Sequence, residues 1–229
     1  MSLSISFVLP MYNEKEYIQA SISKVDLLGR ELCNDYDIIV VDDASSDGSG
    51  DELDRIAGKN ERVIPIHMEE NTKFGGALKA GLKAAKKEFV AYIDSDFPIL
   101  EKDVEGALKL FDRGADVVTG YSLVLKDNSV RRIIISKVYN LLVQALFGLN
   151  IRDINSGFKI YKKEVLEGLE LRSRSPFIDV EIFAEAKKRN KRIAQYGLIF
   201  QLRTKGHSSI SRPSVIARTF FDMIRCRFF

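Results

Sequence analysis

Apolar residues along this chain come in two rhythms. Short, nearly unbroken apolar runs at residues 5–10, 37–41, 63–66 and 89–93 read as strands covered on both faces. Between them the spacing predicts helices over 14–32, 52–57 and 76–86; in the first, Tyr17, Ile18, Ile22, Val25 and Leu28 share one face. Ser49 or Asp51 stands where the second helix would be capped, and residues 71–76 read as a loop. Strand and helix alternate, which implies an α/β architecture with a parallel sheet covered by helices. The second half is less regular. Helices are expected over 101–113, 131–148, 178–189 and 212–229, with strands over 117–120, 158–161 and 193–202. No linker divides the chain, so one domain with two functional halves is expected.

Composition narrows the class. The 229 residues are 45% hydrophobic and 29% charged, enough for one sizeable core and too apolar for general disorder. A net charge of +3 does not argue for nucleic acid. Cys33 and Cys226 make neither a disulfide framework nor a metal cluster, which fits a reducing, cytoplasmic location. The first residues lack the charged start and long apolar run of a signal peptide. No stretch reaches the roughly 18 apolar residues of a membrane-spanning helix.

The candidate chemistry lies at the strand exits. Ligands of open parallel sheets bind beyond the carboxyl ends of the strands. Here the first strand leads into Pro10, Asn13 and Glu14, the second into Asp42 and Asp43, and the fourth into Asp94-Ser95-Asp96. Two acids one residue apart repel each other unless a cation sits between them. Mg²⁺ or Mn²⁺, held by one or two carboxylates and completed by substrate phosphates, suits Asp94 and Asp96. Carboxylates at the other exits suit ribose hydroxyls and base N–H groups. A receiver domain would leave the second half and the Asp94/Asp96 pair without a role. A phosphatase with Asp94 as nucleophile would want Gly-Thr where Phe97-Pro98 stands. A nucleotidyltransferase would want a Gly-rich basic loop where Pro10-Met11-Tyr12-Asn13-Glu14 stands. A catalytically inactive nucleotide-binding module stays open.

Four segments make the pattern specific: FVLPMYNE (7–14), IIVVDDASSDGS (38–49), NTKFGGALKAGLKAA (71–85) and YIDSD (92–96). In order, spacing and placement they resemble the nucleotide-sugar half of family 2 glycosyltransferases, over roughly the first 120 residues. The second half resembles the dolichyl- or polyprenyl-phosphate mannose or glucose synthase branch, through Arg132 with Ser136, DINSGFKIYKK (153–163), FIDVE (177–181) and LRTKGHSSI (202–210). The resemblance implies a GT-A (Rossmann-like) fold, a mixed, mainly parallel sheet flanked by helices. Residues 1–120 would form the nucleotide-sugar half, 121–211 the acceptor half and 212–229 an amphipathic C-terminal helix. It implies an inverting, metal-dependent hexosyltransferase that uses a nucleoside-diphosphate sugar of GDP-mannose or UDP-glucose type and a polyprenyl or dolichyl phosphate acceptor. Pro10, Tyr12, Asn13 and Glu14 would line the base and ribose. Asp42 would bond the base or ribose, with Asp43 supporting it. A Gly75-Gly76 loop would pass close to the nucleotide. Asp94 and Ser95 would reach the nucleotide sugar, and Asp96, with Asp94, would ligate Mg²⁺ or Mn²⁺. Arg132, Ser136 and Arg203 would hold the acceptor phosphate, for which arginine's bidentate fork is suited. A phosphate acceptor is already an anion, so Asp153 would orient it; a saccharide or other hydroxyl acceptor would need Asp153 as general base. The sequence departs from the branch at Phe97-Pro98, where a Gln is usual, at Thr119-Gly120-Tyr121-Ser122, which lacks an Arg, and at Ser208-Ser209, where Ser-Lys is usual.

Other features have plainer readings. His67 beside a strand end reads as structural, and His207 as a loop residue in phosphate reach or in solvent. Lys83, Lys86 and Lys87 read as a solvated helix face. Ile134, Val138, Leu141, Leu142, Ala145 and Leu146 read as one face of a helix packed on the core, with membrane-surface contact as the alternative. In the last segment Val215, Ile216, Phe220, Met223, Ile224 and Phe228 are apolar at helical spacing, with Arg218, Arg225 and Arg227 among them. Such a helix packs on its own domain, on a second copy in an oligomer, or on the cytoplasmic face of a membrane.

Overall fold

A computed structural model describes residues 3–97, 99–123, 130–199 and 213–228. Its elements, in chain order, are β1 (Ser4–Met11), α1 (Lys15–Leu32), β2 (Asp35–Asp42), α2 (Ser49–Ala57), β3 (Val63–His67), α3 (Lys73–Ala84), β4 (Phe89–Ile93), α4 (Glu101–Leu108), β5 (Val117–Ser122), α5 (Val130–Phe147), β6 (Phe158–Lys162), α6 (Lys163–Leu166), α7 (Ile178–Lys188), β7 (Ile193–Leu198) and α8 (Pro213–Phe228). One seven-stranded sheet runs through both halves in the order β3-β2-β1-β4-β6-β5-β7. Strands β1 to β4 are mutually parallel, and β6 alone runs against its neighbours β4 and β5. The sheet is therefore mixed and mainly parallel.

Alternation along each strand splits the core between the two faces of the sheet. Phe7, Leu9, Ile38 and Val40 pack with Ile18, Ile22, Val25 and Leu28 of α1, Leu53 of α2 and Val104 of α4. Val8, Ile39 and Val41 pack on the opposite face with Leu78 and Leu82 of α3, Val143 of α5, Phe183 of α7 and Met223 of α8. Both faces are covered, which is why these strands read as continuous apolar runs instead of alternating ones.

The order of strands fixes where chemistry can sit. After β1 the chain builds outward through β2 and β3, then returns to place β4 on the other side of β1. The carboxyl ends of β1 and β4 thus flank a topological switch point, where the diverging connections leave a crevice. Because β6 is antiparallel, its first residue, Phe158, pairs with Ile93 at the end of β4. The loop before β6 consequently arrives at the same edge. Strands β5 and β7, parallel to each other, also end there, at Ser122 and Leu198.

Several local expectations shift. Helix α2 starts at Ser49, behind Gly48 with φ 85°, so neither Ser49 nor Asp51 is its N-cap. Helix α4 closes at Leu108 and gives way to turns. The short α6 was not foreseen; its four residues carry too little periodicity. Helix α3 ends at Ala84, so Lys86 and Lys87 lie beyond it, and the Lys87 ammonium pairs with Asp35 at 2.5 Å. On α5 the apolar stripe does not all face the core: Ile134, Val138 and Leu141 are exposed, while Tyr139 and Val143 are buried.

Candidate active site

The β1 exit is held in shape by its neighbour. Asn13 adopts φ 55°, a left-handed conformation that asparagine tolerates. Its N–H donates to Ser45 Oγ at 2.9 Å, and its side-chain oxygen accepts from Ser46 N at 2.8 Å. Glu14 N donates to Ser49 Oγ at 2.9 Å, and Lys15 N to Asp47 Oδ2 at 3.2 Å. Two loops are thus stitched together below Tyr12, which stays 41% exposed, with half-buried Pro10 just before it in the strand.

At the β2 exit both acids are buried. Asp42 Oδ1 accepts from Ser45 N at 3.1 Å, and Oδ2 faces His67 Nδ1 at 3.3 Å. His67 Nε2 also meets Asp54 Oδ1 at 3.0 Å. Burial works against the imidazolium, but the hydrogen bonds to Asp54 and Asp42 outweigh it and raise the His67 pKa. Asp43 Oδ1 accepts from Thr72 N at 2.6 Å and Thr72 Oγ1 at 2.8 Å, which fixes the entry to α3. Burial of Asp43 raises its pKa against these bonds.

Gly75 and Gly76 lie in the first turn of α3, not in a loop. A Cβ on Gly75 would come within 2.6 Å of the Ser173 carbonyl oxygen and 2.8 Å of that of Ser175. Gly75 N donates to the Arg174 carbonyl at 3.0 Å. The close approach that demands glycine here is to the 173–175 backbone.

The β4 exit turns sharply. Phe97 N donates to the Asp94 carbonyl at 2.9 Å, and Phe97, at φ 46°, buries its ring in the core. Ser95 is buried and Asp96 half-buried. The Asp94 carboxylate accepts a hydrogen bond from the Tyr92 hydroxyl. Its backbone N–H donates to the Gly157 carbonyl at 3.0 Å, and a Cβ on Gly157 would lie 2.2 Å from Asp94 Oδ2. The loop that carries Asp153 is therefore pressed directly on Asp94. Burial raises the Asp153 pKa, while the nearby Lys159 charge lowers it.

Beneath this contact lies a feature the sequence reading passed over. Lys159 is wholly buried on β6, and its ammonium is 3.0 Å from Asp179 Oδ2 of α7. It also donates to the Ser156 carbonyl at 2.5 Å and lies 5.0 Å from the centre of the Tyr92 ring. Burial pushes the Asp179 carboxyl up to about 6 against the pull of Lys159, with Asp94 and Asp153 adding to the rise. The available signal was a lysine inside the apolar run Phe158-Lys159-Ile160-Tyr161.

Asp94 and Asp96 place two carboxyl groups at the β4 exit. Among the described residues no three His, Cys, Asp or Glu side chains form a ready metal cage. Two hard carboxylates at one exit do fit a Mg²⁺ or Mn²⁺ ion that completes its shell with phosphate and water. Of the expected acceptor-side groups, Ser136 is exposed on α5, and Arg132 contributes backbone to the same helix. The Arg132 side chain, Arg203 and His207 lie outside the described residues.

Carboxylates thus gather at the ends of three adjacent parallel strands and meet the loop before an antiparallel fourth. The family model for glycosyl transferase family 2 matches residues 6–169. The chain belongs to that family. Among curated family relatives, the undecaprenyl-phosphate 4-deoxy-4-formamido-L-arabinose transferase of Serratia proteamaculans is 27% identical over 97% of this chain and 67% of its own length. The polyprenol monophosphomannose synthase of Mycolicibacterium smegmatis is 26% identical over 91% of this chain and 81% of its own. The glycosyltransferase AglD of Haloferax volcanii is 28% identical over 85% of this chain, which spans only 32% of that relative. Glucosyl-3-phosphoglycerate synthase from Mycobacterium tuberculosis, solved with Mn²⁺, UDP and phosphoglyceric acid, superposes with a TM-score of 0.73 at 20% identity, covering 98% of this chain and 78% of that one. A mannosyltransferase from Pyrobaculum calidifontis, solved with GDP-Man and Mn²⁺, superposes with a TM-score of 0.65 at 20% identity, covering 96% and 64%. The fold of this family 2 chain is GT-A.

Proposed function

We propose that this family 2 glycosyltransferase moves a hexose from a nucleoside-diphosphate sugar to a polyprenyl or dolichyl phosphate, with inversion at the anomeric carbon. The observation that carries the reading is the contact between the Asp94 exit and the 153–157 loop, which joins the donor-half carboxylates to the acceptor half. The polyprenyl-phosphate relatives support the acceptor class, and the two neighbours solved with Mn²⁺ support the metal.

In this reading the loops stitched together at 12–15 and 45–49 receive the base and ribose, with Tyr12 over the base and Asp42 bonding base or ribose. Asp43 acts through Thr72 by holding α3 in place. Asp96, with Asp94, would hold Mg²⁺ or Mn²⁺, which would supply positive charge to offset that of the leaving nucleoside diphosphate. Arg132, Ser136 and Arg203 hold the acceptor phosphate, whose oxygen attacks the anomeric carbon opposite the bond to the leaving diphosphate. That oxygen carries no proton to remove, so Asp153 orients the acceptor. A second reading has one observation in its favour. The raised pKa of Asp153 suits a general base, as a saccharide hydroxyl acceptor would require.

A lipid acceptor requires a surface that meets the bilayer. Ile134, Val138 and Leu141 of α5 are exposed, and Phe221 and Ile224 of α8 are exposed near Arg218 and Arg225. The two helices touch through Tyr139 and Phe220, whose ring centres are 6.3 Å apart. Apolar side chains beside arginines suit an interface with anionic head groups. Among the described residues no helix is long and apolar enough to cross a membrane. We place the protein peripherally at the cytoplasmic face.

The test is thermal-shift binding of GDP, UDP, GDP-mannose and UDP-glucose, with and without Mn²⁺, followed by transfer to polyprenyl phosphate. A metal-dependent shift that is lost in Asp96→Ala is expected. A folded protein that answers to none of the four nucleotides refutes the reading.

A further inference from the structure

A lysine with no solvent exposure needs a reason. Burying an ammonium and a carboxylate forfeits their hydration, and a well-packed apolar pair of similar volume is often no less stable. Stability alone therefore gives no account of Lys159 and Asp179. What the pair does have is reach. Lys159 stands opposite Tyr92 of β4 and Thr119 of β5 in the sheet register. Its ammonium joins Asp179 near the start of α7 to the Ser156 carbonyl in the loop before β6. The next residue, Gly157, bonds Asp94 N through its carbonyl and packs against Asp94 Oδ2. The same ammonium lies against the ring of Tyr92, whose hydroxyl holds the other side of the Asp94 carboxylate. One buried cation thus contacts Tyr92 and the residue before Gly157, the two groups that flank the Asp94 carboxylate.

We infer that Lys159, anchored by Asp179, is a positioning residue that sets the 153–157 loop against Asp94, so that its loss slows sugar transfer without abolishing nucleotide binding. The inference rests on the reading of this edge as the sugar-transfer site. The Lys159 side chain has no solvent exposure, so it acts through its neighbours and is not itself a catalytic residue. The 12–15 and 45–49 loops, which receive the nucleotide in that reading, are held by their own hydrogen bonds to each other.

The test compares the wild type with Lys159→Met, Lys159→Arg and the double variant Lys159→Met/Asp179→Leu. The double variant removes the carboxylate that a single change would leave buried without its cation. Two quantities are read: amide hydrogen exchange across 150–158, and kcat for transfer beside the Kd for nucleoside diphosphate with Mn²⁺. The double variant is expected to be folded, to exchange faster across 150–158, and to lose about tenfold or more in kcat while Kd stays within about threefold. Lys159→Arg, which keeps the charge, is expected to recover part of that loss. A folded double variant with wild-type exchange and wild-type kcat overturns the inference. If the wild type binds no nucleotide, the functional reading fails separately, and the exchange data still decide whether Lys159 positions the loop.

Discussion

Replacing Gly157 by alanine tests the joint between the two halves of the site with a single methyl group. The added Cβ would stand 2.2 Å from Asp94 Oδ2 and 2.8 Å from its Cγ. Ordinary contact begins at 3.4 Å, so the carboxylate or the loop must retreat by about 1 Å. The carboxylate cannot simply rotate away, because its other oxygen is engaged by Tyr92 and its backbone N–H is bound to the Gly157 carbonyl. The φ of Gly157 is not in the left-handed region, so alanine brings a steric conflict without backbone strain. Overpacking of this kind costs about 1–3 kcal/mol, which lowers Tm by about 2–4 °C per kcal/mol for a chain of this length. A displacement of ~1 Å at reacting groups costs about 100-fold in rate. Gly157→Ala is therefore expected to fold, to melt several degrees lower, and to lose about two orders of magnitude in kcat/KM. Steady-state transfer kinetics beside differential scanning calorimetry separate the two effects. As a control, Gly168→Ala strains a φ of 68° in an open turn, with Arg189 the nearest group at 3.9 Å, and should lose stability without losing turnover. A Gly157→Ala enzyme within about threefold of wild-type kcat/KM would refute the reasoning, since the packing of this loop on Asp94 would then be immaterial to the reaction.

Two further outcomes follow from contacts away from that joint. Asp222 of α8 accepts hydrogen bonds from Ser173 Oγ at 2.8 Å and Ser175 Oγ at 2.6 Å, and both serines are buried. Asp222→Ala removes that shared acceptor and is expected to cost about 1–3 kcal/mol, read as a lower Tm by calorimetry; an unchanged Tm would show that α8 does not clamp this loop. His67 has a pKa raised above its ordinary value, so the stability it draws from Asp54 and Asp42 is full below the unfolded-state pKa and is lost as pH rises through the folded one. Its side chain is 42% exposed, so the effect after solvent screening is below about 1 kcal/mol. Wild-type Tm relative to His67→Gln should therefore fall as pH rises above the ordinary imidazole pKa of about 6.5, and a constant difference would show that the imidazole does not titrate against these acids.

The Asp94 exit also shows how the fold prepares a site for charge. Acids one residue apart would repel in a tight turn; here both are half-buried, and the Asp94 carboxylate accepts from the Tyr92 phenol while its backbone N–H donates to the Gly157 carbonyl. The supports come from β4 itself and from the loop before β6, two segments more than sixty residues apart in the chain. Bringing them together requires β6 to run antiparallel to β4, the one reversal in an otherwise parallel sheet.

The division between what sequence determines and what tertiary structure decides follows from the range of the forces involved. Local periodicity was enough for strands β1 to β4 and helix α1, because an apolar run or a stripe at helical spacing records burial one residue at a time. The acids at Asp42, Asp43, Asp94 and Asp96 stood out for the same reason, as charges placed where burial should end. Pairing partners leave no such record. Gly75 and Gly76 read as a loop beside a ligand, and only the packed chain shows that the missing side chain of Gly75 makes room for the 173–175 backbone and that of Gly76 for the Thr72 side chain. Ile134, Val138 and Leu141 read as core or as a membrane-facing stripe, and only the packed chain shows them exposed, because periodicity reports a shared face but not what that face meets. Lys159 and Asp179 are twenty residues apart and ordinary as residue types. Their importance arises only when the register of β6 and the docking of α7 bring an ammonium and a carboxylate to 3.0 Å out of water, where Coulomb attraction is no longer screened. The sequence thus specified which acids stand at the strand ends. The tertiary structure decided which of them are braced, and by what.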